Sequence, residues 1–449
     1  MLLSTLLLPL FTLPTPSFSQ QIGHFQTDIG HPGLQWTQCT AANTCQPING
    51  TLTADQKYRW LHKVNDYVDC YAYGGNNWNP RVCDTEANCT ANCALEGVDY
   101  RPRNTLGVEF TNNNTAVSMA VYTWKDFQIN IGLRFFLLSP SPLATYQTFT
   151  LLNNEFTFTV DLSIVGCGLN AALTFVEMDP DGGMGKYPTN KAGARYGTGY
   201  CDAACGRDQL FVAGKANVEG WESSYFDAAS GKGKYGACCP EFALWKSNSQ
   251  SYAMGSHMCK EKGYTVCEGK ECEGEEARCD EVGCGYSPYR MGRRGFYGEG
   301  KEVDTRRPFT VVTRFEEGMV YQVFVQDGKR IETPPPSWGG VGGITEESCG
   351  RRVGVFGEGD GFGELGGWEA HREMLRRPMV LAMSISPDWE GNNRWLDGVY
   401  PKGADESKPG AKRGECVGDD AAEVLAINRN AKVIWSDLRF GPIGSTIDI

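Results

Sequence analysis

Apolar residues fall into short runs along this chain, either alternating with polar ones or clustered with β-branched and aromatic side chains. Residues 116–122, 130–138, 148–162, 309–315 and 319–326 each carry this pattern, which predicts strands. Asn153 predicts a turn that splits the third of them. Helical periodicity is scarce, and residues 55–65 are the best short candidate. Residues 339–367 are rich in glycine and charge and read as a long surface loop, and Pro334-Pro335-Pro336 as a short one. With 55 glycines and 11% aromatic residues, the pattern predicts an all-β chain with many turns. Two packed sheets carrying long loops are the natural arrangement, and a curved sheet of this kind can line a groove with alternate side chains.

At 449 residues the chain could hold several domains, yet it shows no internal repeat and no Ser/Thr/Pro-rich linker leading to a second module such as a carbohydrate-binding one. A single body over residues 20–449 is expected. Residues 1–19 read as a signal peptide, with a mostly apolar 2–13 stretch and small Ser17 and Ser19 ahead of Gln20. That stretch is too short to span a bilayer well and no other comes close, so a secreted, extracellular protein without a membrane partner is expected. The net charge of −12 argues against nucleic acid, whereas a neutral polysaccharide suits an acidic surface. Eighteen cysteines, an even number, favour disulfides over metal at Cys201, Cys205 and Cys238-Cys239 in an exported chain, with connectivity left open by spacing alone. Sequons at Asn49, Asn88 and Asn113 permit N-glycosylation.

Several longer strings carry more specific information. They are Tyr71–Trp78 (YAYGGNNW), Phe149–Phe156 (FTLLNNEF), Cys167–Asn170 (CGLN), Asp179–Asp202 (DPDGGMGKYPTNKAGARYGTGYCD), Ala216–Trp221 (ANVEGW), Trp395-Leu396-Asp397 and Phe440–Thr446 (FGPIGST). Through them the chain resembles glycoside hydrolase family 7, the fungal-type cellobiohydrolases and endoglucanases, from Gln20 to the end. The resemblance implies a concanavalin A-like jelly-roll β-sandwich whose disulfide-pinned loops form a groove or tunnel for β-1,4-glucan. It also implies the pairs Cys39–Cys45, Cys70–Cys93, Cys83–Cys89, Cys167–Cys416, Cys201–Cys239, Cys205–Cys238, Cys259–Cys279, Cys267–Cys272 and Cys284–Cys349. Ala94 stands where many relatives carry a further cysteine, and its usual N-terminal partner is missing too.

The family cleaves with retention, which requires two carboxyl groups about 5–5.5 Å apart. Its pattern Glu-x-Asp-x-x-Glu reads Glu241, Ala243, Lys246 in this chain. Residues two apart share a strand face, and the third needs a bulge to join them. Glu241 matches the nucleophile, Ala243 replaces the assisting aspartate, and Lys246 replaces the acid/base. An ammonium with a reference pKa of about 10.4 stays protonated near neutrality and cannot act as the base of the second step. An ion pair between Lys246 and Glu241 is expected, which also quenches the nucleophile; the alternative is a lysine pointing to solvent. Other candidates for the proton work are another carboxylate or His257, which matches a family histidine beside the acid/base position.

By the same resemblance, Trp60 (tunnel entrance) and Trp395 are sugar platforms, and Asn170, Tyr200, Asp202, Asp208, His257, Arg290 and Arg413 fall on groove positions. Departures accompany them. Thr174 replaces a groove tyrosine, Ser386 a second platform tryptophan, Ala204 and Leu210 two sugar contacts, and Val282 and Gly285 two acids around the product site. The loop between Cys272 and Cys279 is short, while the 222–237 loop keeps its length. The expectation is a monomeric, cofactor-free and metal-free protein that binds β-1,4-glucan or a related plant cell-wall polysaccharide, with hydrolysis lost or strongly impaired. The alternative is an active retaining β-1,4-glucanase with a substitute acid/base.

Overall fold

The computed structural model describes residues 20–71, 75–101, 105–125, 128–141, 144–227, 229–418 and 420–447. The expected signal peptide, residues 1–19, lies outside them. Two antiparallel sheets face each other. The first runs Thr44–Ala54, Leu133–Leu138, Met379–Pro387, Leu169–Val176, Glu241–Ser247, Tyr252–His257 and Cys284–Tyr286. The second runs Val108–Thr111, Ala116–Ala120, Lys432–Pro442, Asn154–Asp161, Phe309–Phe315, Val320–Gln326 and Lys329–Glu332. Gly33–Ala41 joins them: it forms a hairpin with Thr44–Ala54 and pairs in parallel with Lys432–Pro442. This is the jelly-roll sandwich.

The core follows from period-two patterning. Phe135, Leu137, Leu173, Phe175, Phe242, Leu381, Met383 and Ile385 point inward from the first sheet, and meet Val117, Met119, Phe156, Phe158, Val160, Val311, Phe324 and Trp435 from the second. The alternate residues of the first sheet face the other way. Phe136, Leu138, Val176, Val380 and Ala382 form a smaller cluster there with Tyr146, Tyr200 and Tyr264. All nine disulfides have the connectivity that the family resemblance implies, and none of the cysteines is free.

The predicted strands are present; Phe309–Phe315 and Val320–Gln326 are continuous, and the other runs are interrupted. The 130–138 run breaks at Gly132 (φ +75°), and the 148–162 run at Asn153 (φ +63°), the predicted turn. Two expectations fail. Residues 55–65 form a single 3₁₀ turn, Gln56–Tyr58, followed by the strand Leu61–Lys63. Tertiary contacts override the local pattern: Arg59 turns inward to a fully buried ion pair with Asp28 at 2.6 Å, and Leu61–Lys63 pairs with Cys93–Leu95. Residues 339–367 are not a loop throughout, because they contain the helices Glu346–Phe356 and Gly361–Glu364. The first has a Thr345–Ser348 capping box and a left-handed Gly357 at its end. Its sequence disguises it, because only Cys349 and Arg352 are buried and Cys284–Cys349 supplies the tether.

Candidate active site

Three neighbouring strands set the floor of the candidate site. Glu241 pairs with Val176 on one side and His257 on the other; Ala243 pairs with Thr174 and Gly255; Lys246 pairs with Ala172 and Ala253. Directly paired residues share a face, so Glu241, Ala243 and Lys246 all look away from the core. A register shift between Ala243 and Lys246 makes this possible. At that shift Leu244 and Trp245 both enter the core. Trp245 stacks on Tyr252 at 4.4 Å, and the Leu244 carbonyl accepts a 2.9 Å hydrogen bond from Gln322. The bulge is therefore anchored on its buried side.

Lys246 Nζ lies 2.9 Å from Glu241 Oε1, with side-chain exposures of 23% and 5%. Nζ also stands 5.7 Å from the centre of the Trp395 ring. The other oxygen, Glu241 Oε2, accepts the Ala203 N–H at 3.4 Å. Burial pushes the Glu241 pKa up, but Lys246 and then His257 outweigh it and hold the carboxyl below its usual range. Burial acts to lower the Lys246 pKa, yet Glu241, with smaller pulls from Asp202 and Glu281, raises it overall. Each group thus holds the other in its charged form. His257 is kept below the usual imidazole range by burial. Its Nδ1 lies 3.1 Å from the Asp280 carbonyl, so Nδ1 carries the proton of the neutral ring.

Asp202, which precedes Ala203 in the chain, interacts electrostatically with this pair. Tyr200 donates its hydroxyl to Asp202 Oδ2 at 2.9 Å, and the Arg134 guanidinium lies 3.3 Å from the centre of the Tyr200 ring. Asp202 Oδ1 is buried without a hydrogen-bond partner. Burial, and then the Glu241 charge, push the Asp202 pKa up to about 6. The segment is held by a close backbone approach. Gly197 (φ +70°) packs so tightly on the Thr44–Ala54 strand that an added Cβ would lie 2.0 Å from the Ala54 carbonyl oxygen. Chemically, the face offers a paired carboxylate, a fixed cation and a neutral imidazole. Its most readily protonated carboxyl is that of Asp202, which interacts with both members of the pair.

The remaining sequence-predicted groove residues spread along this face and its loops. Asn170 pairs in register with Ser386, and its Oδ1 is buried and unpartnered, free to meet a hydroxyl donor. Asp208 is ion-paired with Lys57. Trp60 donates its indole N–H to Asp69 at 2.6 Å and stacks on His62 at 4.2 Å, half-buried beside Phe25 and Tyr67. Arg290 and Arg413 meet at Glu358. Thr174, Ala243 and Gly255 leave the middle of the floor lined by small side chains. The 222–237 loop folds as a small hairpin, Glu222–Ser223 with Gly231–Lys232, and is tied to Asn76 through the Ser224 and Asp227 carbonyls and the Trp221 indole. Sequence reasoning missed Lys57, Arg134, Arg352 and Glu358. Arg134 left a signal, being a lone charge in the apolar strand LRFFLL.

The profile of glycosyl hydrolase family 7 matches residues 23–447. A cellobiohydrolase of this family from Daphnia pulex superposes with a TM-score of 0.91 at 39% identity, covering 95% of this chain and 100% of that one. A Melanocarpus albomyces cellobiohydrolase, solved with cellotetraose, gives 0.90 at 45% identity, covering 96% of this chain and 100% of that one. The endocellulase EGI of Humicola insolens gives 0.76 at 31% identity, covering 95% and 100%.

Proposed function

Because this chain belongs to glycosyl hydrolase family 7, we propose that it is a secreted protein that binds β-1,4-glucan in its groove while retaining hydrolysis is lost or strongly impaired. One observation carries the second half: the ammonium of Lys246 sits 2.9 Å from the carboxylate of Glu241. A retaining glycosidase needs one carboxylate to attack and a second group to protonate the leaving oxygen and then activate water. Here the attacking oxygen is held in an ion pair and the second group is a cation whose pKa is raised. It has no basic form to offer near neutrality. Asp202, whose pKa is pushed up to about 6, is already engaged as the acceptor of the Tyr200 hydroxyl.

The first half rests on what remains. Trp395 stands over the pair, Asn170 keeps an unused acceptor, and Tyr200 and Asp202 are held in place by Arg134 and the Gly197 turn. A neutral polymer places no electrostatic demand on a chain of net charge −12. Nine disulfides suit an oxidising, extracellular setting. The test is calorimetric titration of the purified protein with cellohexaose, with aryl-cellobioside hydrolysis followed in parallel. Saturable binding without turnover is expected. Turnover that vanishes in Glu241→Gln would favour the active-glucanase alternative, and absence of any binding would reduce the protein to a scaffold.

A further inference from the structure

Four stacked rings stand where the groove floor runs outward from Glu241. The floor strand Leu133–Leu138 carries Arg134, whose guanidinium lies on the Tyr200 ring and donates to Asp55 at 2.7 Å. Asp55 caps the turn Gln56–Tyr58, and Trp60 follows shortly after it. Trp60 rests on His62 with ring centres 4.2 Å apart. Tyr67 rests on Phe25, also at 4.2 Å and within 13° of parallel. Trp60 and Tyr67 are 6.0 Å apart at 26°, and Phe25 and His62 are 5.1 Å apart. These distances place Trp60 and Tyr67 side by side in one layer, with His62 and Phe25 as the layer beneath.

The lower layer is held fast. His62 is fully buried, with Nε2 on Glu96 Oε2 and Nδ1 2.9 Å from the Asp66 carbonyl. The other Glu96 oxygen accepts the Gln26 N–H at 2.6 Å, next to Phe25. One buried carboxylate thus fixes the segments of both supporting rings. Gly23 is required beside it, since an added Cβ would lie 2.1 Å from Glu96 Oε2. The turn bearing Tyr67 is tied back by Cys70–Cys93, and Gln21–Ile22 and Leu61–Lys63 flank Cys93–Leu95 as neighbouring strands.

The upper layer is open. Tyr67 is 72% exposed although its ring is seated on a fixed support. An aromatic face that is both preorganised and left in water suits a ligand that stacks on it. Asp69, which accepts the Trp60 indole N–H, and Asp66 supply acceptors for hydroxyl groups at the rim. The 6.0 Å step between the Trp60 and Tyr67 ring centres is comparable to the advance per sugar in an extended β-1,4-glucan, so neighbouring pyranoses can each cover one ring.

We propose that Tyr67 adds a sugar-binding position beside Trp60, so that a β-1,4-glucan chain is gripped outside the groove and long or solid glucan is preferred to short oligosaccharides. The family resemblance implies the Trp60 platform alone; Tyr67, its Phe25 support and the Glu96 lock are features of this structure. The inference rests on the glucan-binding reading above and deepens it by naming where chain length is read.

The test compares the purified parent, Tyr67→Ser and Tyr67→Phe by depletion isotherms on phosphoric-acid-swollen cellulose and by calorimetric titration with cellotriose. Tyr67→Ser should weaken cellulose binding by about threefold to tenfold, the span of one lost stacking contact, while Tyr67→Phe keeps it. Cellotriose affinity should stay unchanged in both variants, because a short chain seats on the inner platform at Trp395. Tyr67 stands mostly in water, so thermal unfolding of both variants should match that of the parent. Cellulose binding by Tyr67→Ser equal to the parent's overturns the inference, and cellotriose binding then leaves the glucan reading standing. An equal loss for cellulose and cellotriose overturns it too, by placing the effect inside the groove. Self-association of the parent that Tyr67→Ser abolishes, with cellulose binding intact, overturns it by assigning the face to a second copy of this chain. Binding of neither glucan by the parent overturns both readings.

Discussion

Replacing Lys246 with methionine keeps most of the side-chain volume and removes the charge. The surroundings of the pair set the cost. Glu241 is 5% exposed, and without the ammonium its carboxylate keeps one weak hydrogen bond, from Ala203 at 3.4 Å. Removing one member of a buried pair costs about 3–5 kcal/mol because the other charge is stranded. Lys246 is 23% exposed, so water reaches one end of the pair and the lower figure applies, about 3 kcal/mol at neutral pH. Spread over the unfolding entropy of a 449-residue chain, that corresponds to a fall in Tm of roughly 3 °C. The pH dependence is more diagnostic. In the parent, the folded pKa of Glu241 lies below its ordinary value, so its stabilising contribution is present above that value and is lost as pH falls through the lowered one. In Lys246→Met, burial dominates and the folded pKa lies above the ordinary value. The penalty is then largest at pH 7 and is relieved on acidification, when the carboxyl takes up a proton. Scanning calorimetry of both proteins from pH 7 to pH 4 should show the Tm gap narrowing toward the acid end. A gap that is absent, or that stays constant with pH, would refute the ion pair and support a lysine directed to solvent.

Three further outcomes are expected. Lys246→Glu combined with Ala243→Asp should raise aryl-cellobioside hydrolysis by about 100-fold or more, the range of general acid–base catalysis; no gain would place the deficit in the thinned floor around Thr174 and Ser386. Asp202→Asn should raise stability at pH 7 by about 2–3 kcal/mol, less at pH 4, because a carboxyl with folded pKa about 6 disfavours the folded state as pH rises through that value; equal effects at both pH values in thermal unfolding would contradict the burial of Asp202. Replacing both Cys167 and Cys416 with serine, which opens a link of sequence separation 249, should destabilise by roughly 3–5 kcal/mol, read as a loss of several degrees in Tm; an unchanged Tm would show that the connection is redundant.

The sandwich was legible because its signal is local. Strands such as Phe309–Phe315 and Val320–Gln326 alternate or run apolar, and that pattern alone places one face in a core. The catalytic-strand sequence was legible too: two apolar residues, Leu244 and Trp245, between Ala243 and Lys246 require a bulge, and the structure has one. Helix Glu346–Phe356 was not, because its stability comes from a disulfide and a buried arginine rather than an apolar stripe. The turn at Gln56–Tyr58 has a helix-like sequence, yet it stays short because Arg59 answers to Asp28, 31 residues away. The arginine cluster escaped for the same reason: Arg290, Arg352, Glu358 and Arg413 come from separate segments, and only folding shows that three cations share one carboxylate.

The proposed loss of retaining chemistry is tested most directly by following release of the chromophore from an aryl β-cellobioside by the purified parent protein between pH 4 and pH 8. No release above the protein-free rate is expected at any pH, since Lys246 cannot complete the double displacement. Steady release that is abolished by Glu241→Gln would contradict it.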